Sequence, residues 1–580
     1  PMACRVTAFS LYLSLLEGLN PADLLEAQER DDVKLPRLRG SNLCDGPSAD
    51  FFSDAHPFAG KRFSMCVSNP PWKEAAGAAT SADDYADAVG MPAVLRQVAG
   101  MYAVRALDFL AEGGTLCLIL PITQLLGAGA KRYLPYLFDR IAPRRLINFG
   151  DLQALLFPTA ENTCHVLVAS RRPSAQVGRV PFTETFDYCV PKADLSLAFG
   201  RLTLQSADRH ELQTQAVQED PSLLTTFMWG DANDLDLLTR LSLGGTLGDF
   251  WRGGKRARWQ NRKGVHFVDR ARSPVDAGPL REIPYVTTDG LKAGAPVLHG
   301  SQATLWPADQ DTVVGLDSVL PLFDGPRVLY PDGFSKGEHN VRAVFVDGPL
   351  SFKSSIGVIA GPREDEALLR FVAIFLRSSL ARYFLMLTCT KMLSERNGVH
   401  LDDIEAFPFF TPEQAPDPVQ ARAALDLAAA FSRELERLPS PHAQAMRYQD
   451  ERDALDERVF DYFGLSPSER AIVRESVTVL MPSIRPRSYK GLYTPLQKPA
   501  SAQALAGYAK ALGDNLTLWR DRMGGVGHFA VAVVATDPAR TGALGVVRVQ
   551  YLPEGTSPAD VRCSMDDALV QETLQALRRE

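Results

Sequence analysis

Apolar residues in the first half of the chain fall into short runs that alternate with stretches of three- and four-residue spacing. VTAFSLYLSLL (Val6–Leu16) suits a buried or amphipathic helix, and turn-rich sequence follows to about Pro57. FSMCVS (Phe63–Ser68) is a continuous apolar run bounded by Lys61-Arg62 and by Asn69-Pro70-Pro71, the pattern of a buried parallel strand. PAVLRQVAGMYAVRALDFL (Pro92–Leu110) has helical spacing, with Gly113-Gly114 as its expected stop. TLCLILP (Thr115–Pro121), a helix over Lys131–Ile141, LINF (Leu146–Phe149) and TCHVLVAS (Thr163–Ser170) continue the alternation. Strands and helices taking turns, with connections long enough for crossovers, predict a doubly wound α/β sheet over Phe63–Ser170.

The pattern changes after about Ser174. Short β-like runs (RVLYPDG, SSIGVIAG) mix with one clear helix, Glu366–Leu387, as in an α+β domain reaching to about Phe410. Asp417–Leu480 is helical and charged, and the proline-rich stretch Pro482–Pro499 suits a linker. The tail offers a helix, a hairpin (HFAVAVVATDPARTGALGVVRVQYL) and a terminal helix. At 580 residues the chain exceeds what one core accommodates. The expected domains are 1–173, 174–413, 414–481 and 482–580, and no internal repeat is present.

Composition narrows the function classes. The chain is 46% hydrophobic and 23% charged with no low-complexity tract, which excludes a disordered protein. No stretch has the apolar length to span a bilayer and nothing resembles a secretory signal, so no membrane role is expected. The eight cysteines are scattered without a CxxC pair, which argues against a zinc site or disulfide framework and for reduced thiols in a cytoplasmic protein. A net charge of −7 means that any nucleic-acid contact must come from a local basic patch. The apolar run begins almost at Pro1 without cap or leader, the pattern expected of a fragment whose first part is missing.

The chemistry centres on Asn69-Pro70-Pro71-Trp72. An adenine amino group is a poor nucleophile because its lone pair is delocalised into the ring. Two acceptors placed close together localise that pair and aim it at a methyl donor. The Asn69 amide oxygen offers one acceptor; the Pro70 carbonyl offers the other, with its direction preset by the fixed φ of the ring. Pro71 stiffens the turn, and Trp72 supplies a flat face on which a base stacks. Such transfer needs alignment and electrostatic support rather than a metal or a covalent intermediate. Asn-Pro-Pro alone also suits a simple strand stop, but here it follows an apolar strand, the end of an open α/β sheet at which ligands bind.

In that setting SNPPW after FSMCV resembles the catalytic motif of amino-methyltransferases. Order and spacing resemble the gamma-class N6-adenine DNA methyltransferases, including type IIG restriction–modification enzymes, over roughly Ala3–Phe410. The resemblance implies an incomplete doubly wound methyltransferase sheet, then an α+β target-recognition domain and a mainly helical C-terminal region. It implies S-adenosyl-L-methionine as cofactor, double-stranded DNA as substrate, base flipping, and restriction or defence-system subunits as partners. SADFF (Ser48–Phe52) resembles the segment that binds the cofactor's adenine, which assigns Asp50 and Phe51; a polar loop residue before an aromatic is the plainer alternative. LFPT (Leu156–Thr159) resembles the segment whose aromatic stacks on the flipped base, which makes Phe157 the partner of Trp72 unless it is simply core. The family's glycine-rich cofactor loop, expected upstream of Val6, is absent from the sequence, as is the acid that would hold the ribose.

RGGKRARWQNRKG concentrates Arg252, Lys255, Arg256, Arg258, Arg262 and Lys263 around Trp259, Gln260 and Asn261, the expected DNA-reading patch. A solvated surface loop is the alternative. FKSSIGVIAG, LLRFVAIFLRSSLARYFLML and HLDDIEAFPFF resemble the recognition domain of the same family. Two other functions stay open: a methyltransferase acting on RNA, and a non-catalytic DNA-specificity protein on a degenerate methyltransferase scaffold. No convincing Asp…Glu-x-Lys nuclease site is present.

Overall fold

Each strand-like run of the first half becomes part of one mixed sheet. The computed structural model describes the chain except for residues 1, 19, 31–34, 36, 47–48, 73–78, 93–96, 127–128, 157–162, 195, 198–199, 253–256, 268–272, 293, 334–338, 391, 393–397, 399–400, 486–500, 535–545, 557–571 and 573–580. Two compact units result. The first comprises Pro1–Phe149, Asn162–Val190 and Leu204–Leu224, and the second Gly150–Glu161, Pro191–Thr203 and Thr225–Glu580.

In the first unit, α1 (Met2–Glu17) and α2 (Pro21–Glu29) precede β1 (Phe63–Ser68), α3 (Ser81–Ala88), α4 (Val98–Phe109), β2 (Leu110–Pro121), α5 (Ala130–Phe138), β3 (Ile141–Asn148), β4 (Cys164–Arg171), β5 (Thr185–Cys189) and β6 (Arg209–Gln213). The sheet order is β1-β2-β4-β3-β5-β6. β1 pairs parallel with β2, and β3 parallel with β5, but β4 lies between β2 and β3 and runs antiparallel to both. The doubly wound expectation therefore holds only in part: the sheet is mixed. Between β3 and β4 the described chain holds only short helical turns (150–156) and no crossover helix, so β4 folds back beside β3.

Three local expectations are corrected. β1 has the expected span and parallel pairing but is an edge strand, with Phe63, Met65 and Val67 exposed at 41%, 59% and 67%. An apolar run is buried only where layers cover both faces, and among the described residues β1 has β2 alone beside it. α1 forms, but most of its apolar side chains are exposed and only Ala8 is buried. α4 stops at Phe109, before the expected glycines, and β2 starts directly at Leu110. Gly113 takes φ +73°, and a Cβ on Gly114 would meet the Ala111 carbonyl at 2.8 Å and the Phe63 and Ser64 carbonyls at 3.2 Å. The glycines thus permit the irregular start of the β1–β2 pair. Leu116, Leu118 and Leu120 of β2 and Leu167 and Ala169 of β4 are fully buried, alternating with half-exposed neighbours.

The second unit contains a four-stranded antiparallel sheet, in the order Val344–Val346, Arg327–Pro331, Ile356–Ala360, Gln260–Lys263. Leu329, Val344, Ile356 and Val358 join Trp306 and Phe323 in its core. The helix expected over Glu366–Leu387 is two helices, Glu366–Phe375 and Ser379–Thr388, bent by 66°. Ser378 causes the restart: its side chain accepts from the Ala381 N–H, which caps the second helix. No single described helix is long and apolar enough to cross a membrane; this bent pair reaches the necessary length and composition, but its apolar residues are buried in the core. The helical region begins at the expected Asp417, which caps Pro418–Glu436 through bonds from the Val419 and Gln420 N–H groups. The expected hairpin pairs His528–Val534 with Val546–Leu552. The proline-rich linker and the terminal helix fall mostly outside the described residues.

Candidate functional site

The Asn69–Trp72 turn leaves β1 at the carboxyl ends of the parallel pair β1/β2. Pro70 is buried, Asn69 and Pro71 are exposed, and Trp72 is half-buried. The Trp72 indole N–H donates to the Ile119 carbonyl of β2 at 3.3 Å, which ties the turn to the neighbouring strand. Among the described residues the Asn69 side chain has no hydrogen bond. Phe157, the expected second stacking ring, lies outside the described residues.

Asp50 and Phe51 sit in a turn ahead of β1. Asp50 Oδ1 accepts from the Phe52 N–H at 3.1 Å, and its other oxygen has no partner among the described residues. The Phe51 ring stacks on Tyr102 at 4.4 Å between centroids and on Phe109 at 5.2 Å, both from α4. Sequence patterning missed the residue that holds this turn, Arg105 of α4. Its guanidinium, buried at 6% exposure, donates to the Phe51 carbonyl (3.1 Å), the Ser53 carbonyl (2.9 Å), Asp54 (3.3 Å) and Asp108 (3.0 Å). Asp108 also accepts from the Tyr85 hydroxyl at 2.8 Å. An arginine inside an apolar helical stretch was the signal that could have found it.

A second missed group lies where the C-terminus of β3 meets the start of β4. Asn148 pairs with His165 in register, and Asn148 Nδ2 donates to the Tyr188 hydroxyl at 2.8 Å. His165 is fully buried, and neither ring nitrogen has a hydrogen-bond partner among the described residues. Burial pushes its pKa down to about 3, so it is neutral at physiological pH. A histidine within the apolar run TCHVLVAS was visible in the sequence, but its isolation was not.

In the second unit the expected DNA-reading patch is sorted by strand alternation. Residues Gln260–Lys263 form an edge strand, with Gln260 and Arg262 exposed. Asn261 points inward and is buried; its Oδ1 accepts from the Tyr330 hydroxyl at 2.8 Å. Lys263 pairs with Asp332 at 2.8 Å. Arg258 grips the buried Asp365 with two donors, and that carboxylate also accepts from the Trp259 indole at 2.8 Å. Asp365 raises the Arg258 pKa still further through that hydrogen bond, and Trp259 belongs to the core. Arg252 is exposed and pairs with Asp249 at 2.5 Å, while Lys255 and Arg256 lie outside the described residues.

No protein-family model and no curated protein matches the chain. Among solved structures the chain is similar to the type IIL restriction-modification enzyme MmeI in complex with DNA. The identity is 11% and the TM-score 0.39, over 72% of this chain and 57% of that one. It is also similar to the type IIG restriction endonuclease BpuSI, at 11% identity and TM-score 0.26 over 69% and 54% of the two chains. A DrdV–DNA complex is similar at 12% identity and TM-score 0.31, over 64% and 44%. The chain thus spans about half the length of these structures. At these values no residue's role is carried over from them.

Proposed function

We propose that this chain methylates the N6 amino group of adenine in DNA, within a restriction–modification or phage-defence system. One observation carries the reading: the exposed Asn69 stands beside the buried Pro70, on a turn anchored by Trp72 at the carboxyl end of a parallel strand pair. A base lifted from the duplex would stack on Trp72 and donate its two amino hydrogens to the Asn69 Oδ1 and the Pro70 carbonyl. Stacking on one aromatic face contributes roughly 1–3 kcal/mol towards the cost of extrusion. The exposed Gln260 and Arg262 are the residues of the second unit best placed to touch DNA in this reading.

The donor in this reading is S-adenosyl-L-methionine, which supplies the methyl group. The described residues do not by themselves make a cradle for it. Asp50 has a free carboxylate oxygen, but the Phe51 ring is already stacked on Tyr102 and Phe109. No glycine-rich turn joins a strand to a helix ahead of β1 among the described residues. The chain's own contribution is therefore the acceptor side: holding, orienting and hydrogen-bonding the target base.

Asn69→Ala is expected to abolish methyl transfer to duplex DNA while sparing DNA binding; normal turnover by that variant would refute the mechanism. The occupied Phe51 ring favours a second reading, a non-catalytic DNA-specificity protein. Saturable binding of S-adenosyl-L-methionine to the full chain would exclude it.

A further inference from the structure

The first unit has a concavity of about 230 Å³, far from the Asn69 turn. It opens between α3, α4 and the ends of α5 and β4. Arg171 donates there to the Leu110 carbonyl at the start of β2, whereas Trp72 is bonded to Ile119. At about 3.3 Å per residue, those two points on β2 are roughly 30 Å apart. The pocket therefore does not belong to the acceptor turn.

Its walls are of two kinds. Val89, Val104 and Leu107 form an apolar side, while Arg140, Arg171 and Arg172 come together on the other. The ladder enforces this meeting, because Ile141 pairs with Arg171 and the Arg172 N–H donates to the Arg140 carbonyl at 2.9 Å. Arg172 is buried and fully engaged, donating to the Phe138 carbonyl and to both oxygens of Glu184. Arg140 and Arg171 differ from the other interior arginines of this unit. Arg105 faces Asp54 and Asp108, and Arg172 faces Glu184. Arg140 and Arg171 have no carboxylate at ion-pair distance among the described residues.

Their known bonds are to backbone: Arg140 Nη1 donates to the Tyr136 carbonyl at 2.8 Å, with the guanidinium 3.5 Å from the Tyr136 ring centroid, and Arg171 Nη1 donates to Leu110. Each guanidinium carries five N–H donors, so most remain unused. Two acids are near: Asp108 also lines the pocket and Glu112 lies within electrostatic reach of Arg171, but both already accept hydrogen bonds from other groups. Asp108 holds Arg105 and Tyr85, and Glu112 holds the backbone N–H and hydroxyl of Ser174.

We propose that this pocket binds a small molecule bearing a phosphate group. Two guanidinium groups with no carboxylate at ion-pair distance among the described residues face one concavity, and a bound dianion gives them paired, fork-shaped hydrogen bonds. The apolar wall takes the organic part of the ligand. At about 230 Å³ the pocket lies below the usual 300–1,000 Å³ of drug-sized sites, so it suits a phosphate with a small body.

The test is calorimetric titration of the full chain with phenyl phosphate and with inorganic phosphate at constant ionic strength. Both are expected to bind one per chain, phenyl phosphate the more tightly. Arg140→Gln and Arg171→Gln should each weaken binding by about tenfold or more. Arg171→Lys keeps the charge but loses the fork, and a several-fold loss in that variant carries the test should the glutamine variants fail to fold. Asn69→Ala should bind phenyl phosphate as the unaltered chain does, which keeps this result independent of the proposed methyl transfer. Absence of saturation below ~10 mM, undiminished binding by the double glutamine variant, or displacement by short duplex DNA would each overturn the proposal.

Discussion

Replacing His165 with leucine tests whether an isolated polar group sits inside the sheet. The ring is fully buried between β2 and β3, where it pairs in register with Leu120 and Asn148, and both nitrogens lack partners among the described residues. Its folded pKa is about 3, against an ordinary 6.5. The unfolded chain therefore takes up a proton below about pH 6.5 that the folded chain accepts only near 3. Stability falls by about 1.4 kcal/mol for each pH unit across that window as pH drops, which makes about 2 kcal/mol by pH 5. Above pH 6.5 the proton plays no part, and the cost is that of burying unpaired nitrogens, about 1–3 kcal/mol. Leucine is close to histidine in volume and removes both terms. His165→Leu should thus protect the β4 amides from hydrogen exchange by about 1 kcal/mol or more near neutral pH, and by about 2 kcal/mol beyond that near pH 5. Exchange corrected for intrinsic pH dependence reads the difference directly. If β4 loses protection on acidification equally in both proteins, the ring is not isolated and the reasoning fails.

Arg105→Met removes the donors that hold residues 51–54 and should destabilise the first unit by about 3 kcal/mol, seen as early loss of Phe51 and Tyr102 packing on heating. Asp365→Ala removes the acceptor of the buried Trp259 indole and the partner of the half-exposed Arg258, so the second unit should lose about 1–3 kcal/mol in denaturant titration. Arg262→Ala, on the exposed face, should leave stability within about 0.5 kcal/mol yet lower the salt dependence of DNA binding by about one phosphate contact. Burial pushes Asp234 up to about 6, so its contribution is present below its unfolded value of 3.8 and lost as pH rises through 6. Asp234→Asn should flatten that decline, by about 1–3 kcal/mol in melts compared across the window.

Much of the local structure was legible in the order of residues. FSMCVS gave its strand to the residue, Asp417 its helix cap, and HFAVAVV and VVRVQYL their hairpin, because these depend on neighbours a few positions away. The same is true of the chemistry offered by Asn69-Pro70-Pro71-Trp72, which rests on adjacent side chains and the stiffness of proline. Availability was not legible. Gln260, Asn261, Arg262 and Lys263 formed one polar patch in the sequence, yet strand alternation and partners 69 positions away turn Asn261 and Lys263 to the protein itself. Arg258 and Asp365 stand 107 positions apart, and no local pattern announces their pairing.

By itself the sequence determined which segments become strands and helices and which residues carry reactive groups, since backbone preferences and side-chain chemistry act over short distances. Only the tertiary structure decided that β4 returns antiparallel, that β1 is an edge, that Phe51 is stacked on Tyr102, and that Arg140 and Arg171 face one pocket with no carboxylate at ion-pair distance among the described residues. Those outcomes depend on burial and charge compensation between residues distant along the chain, which become defined only once the sheet and helices pack.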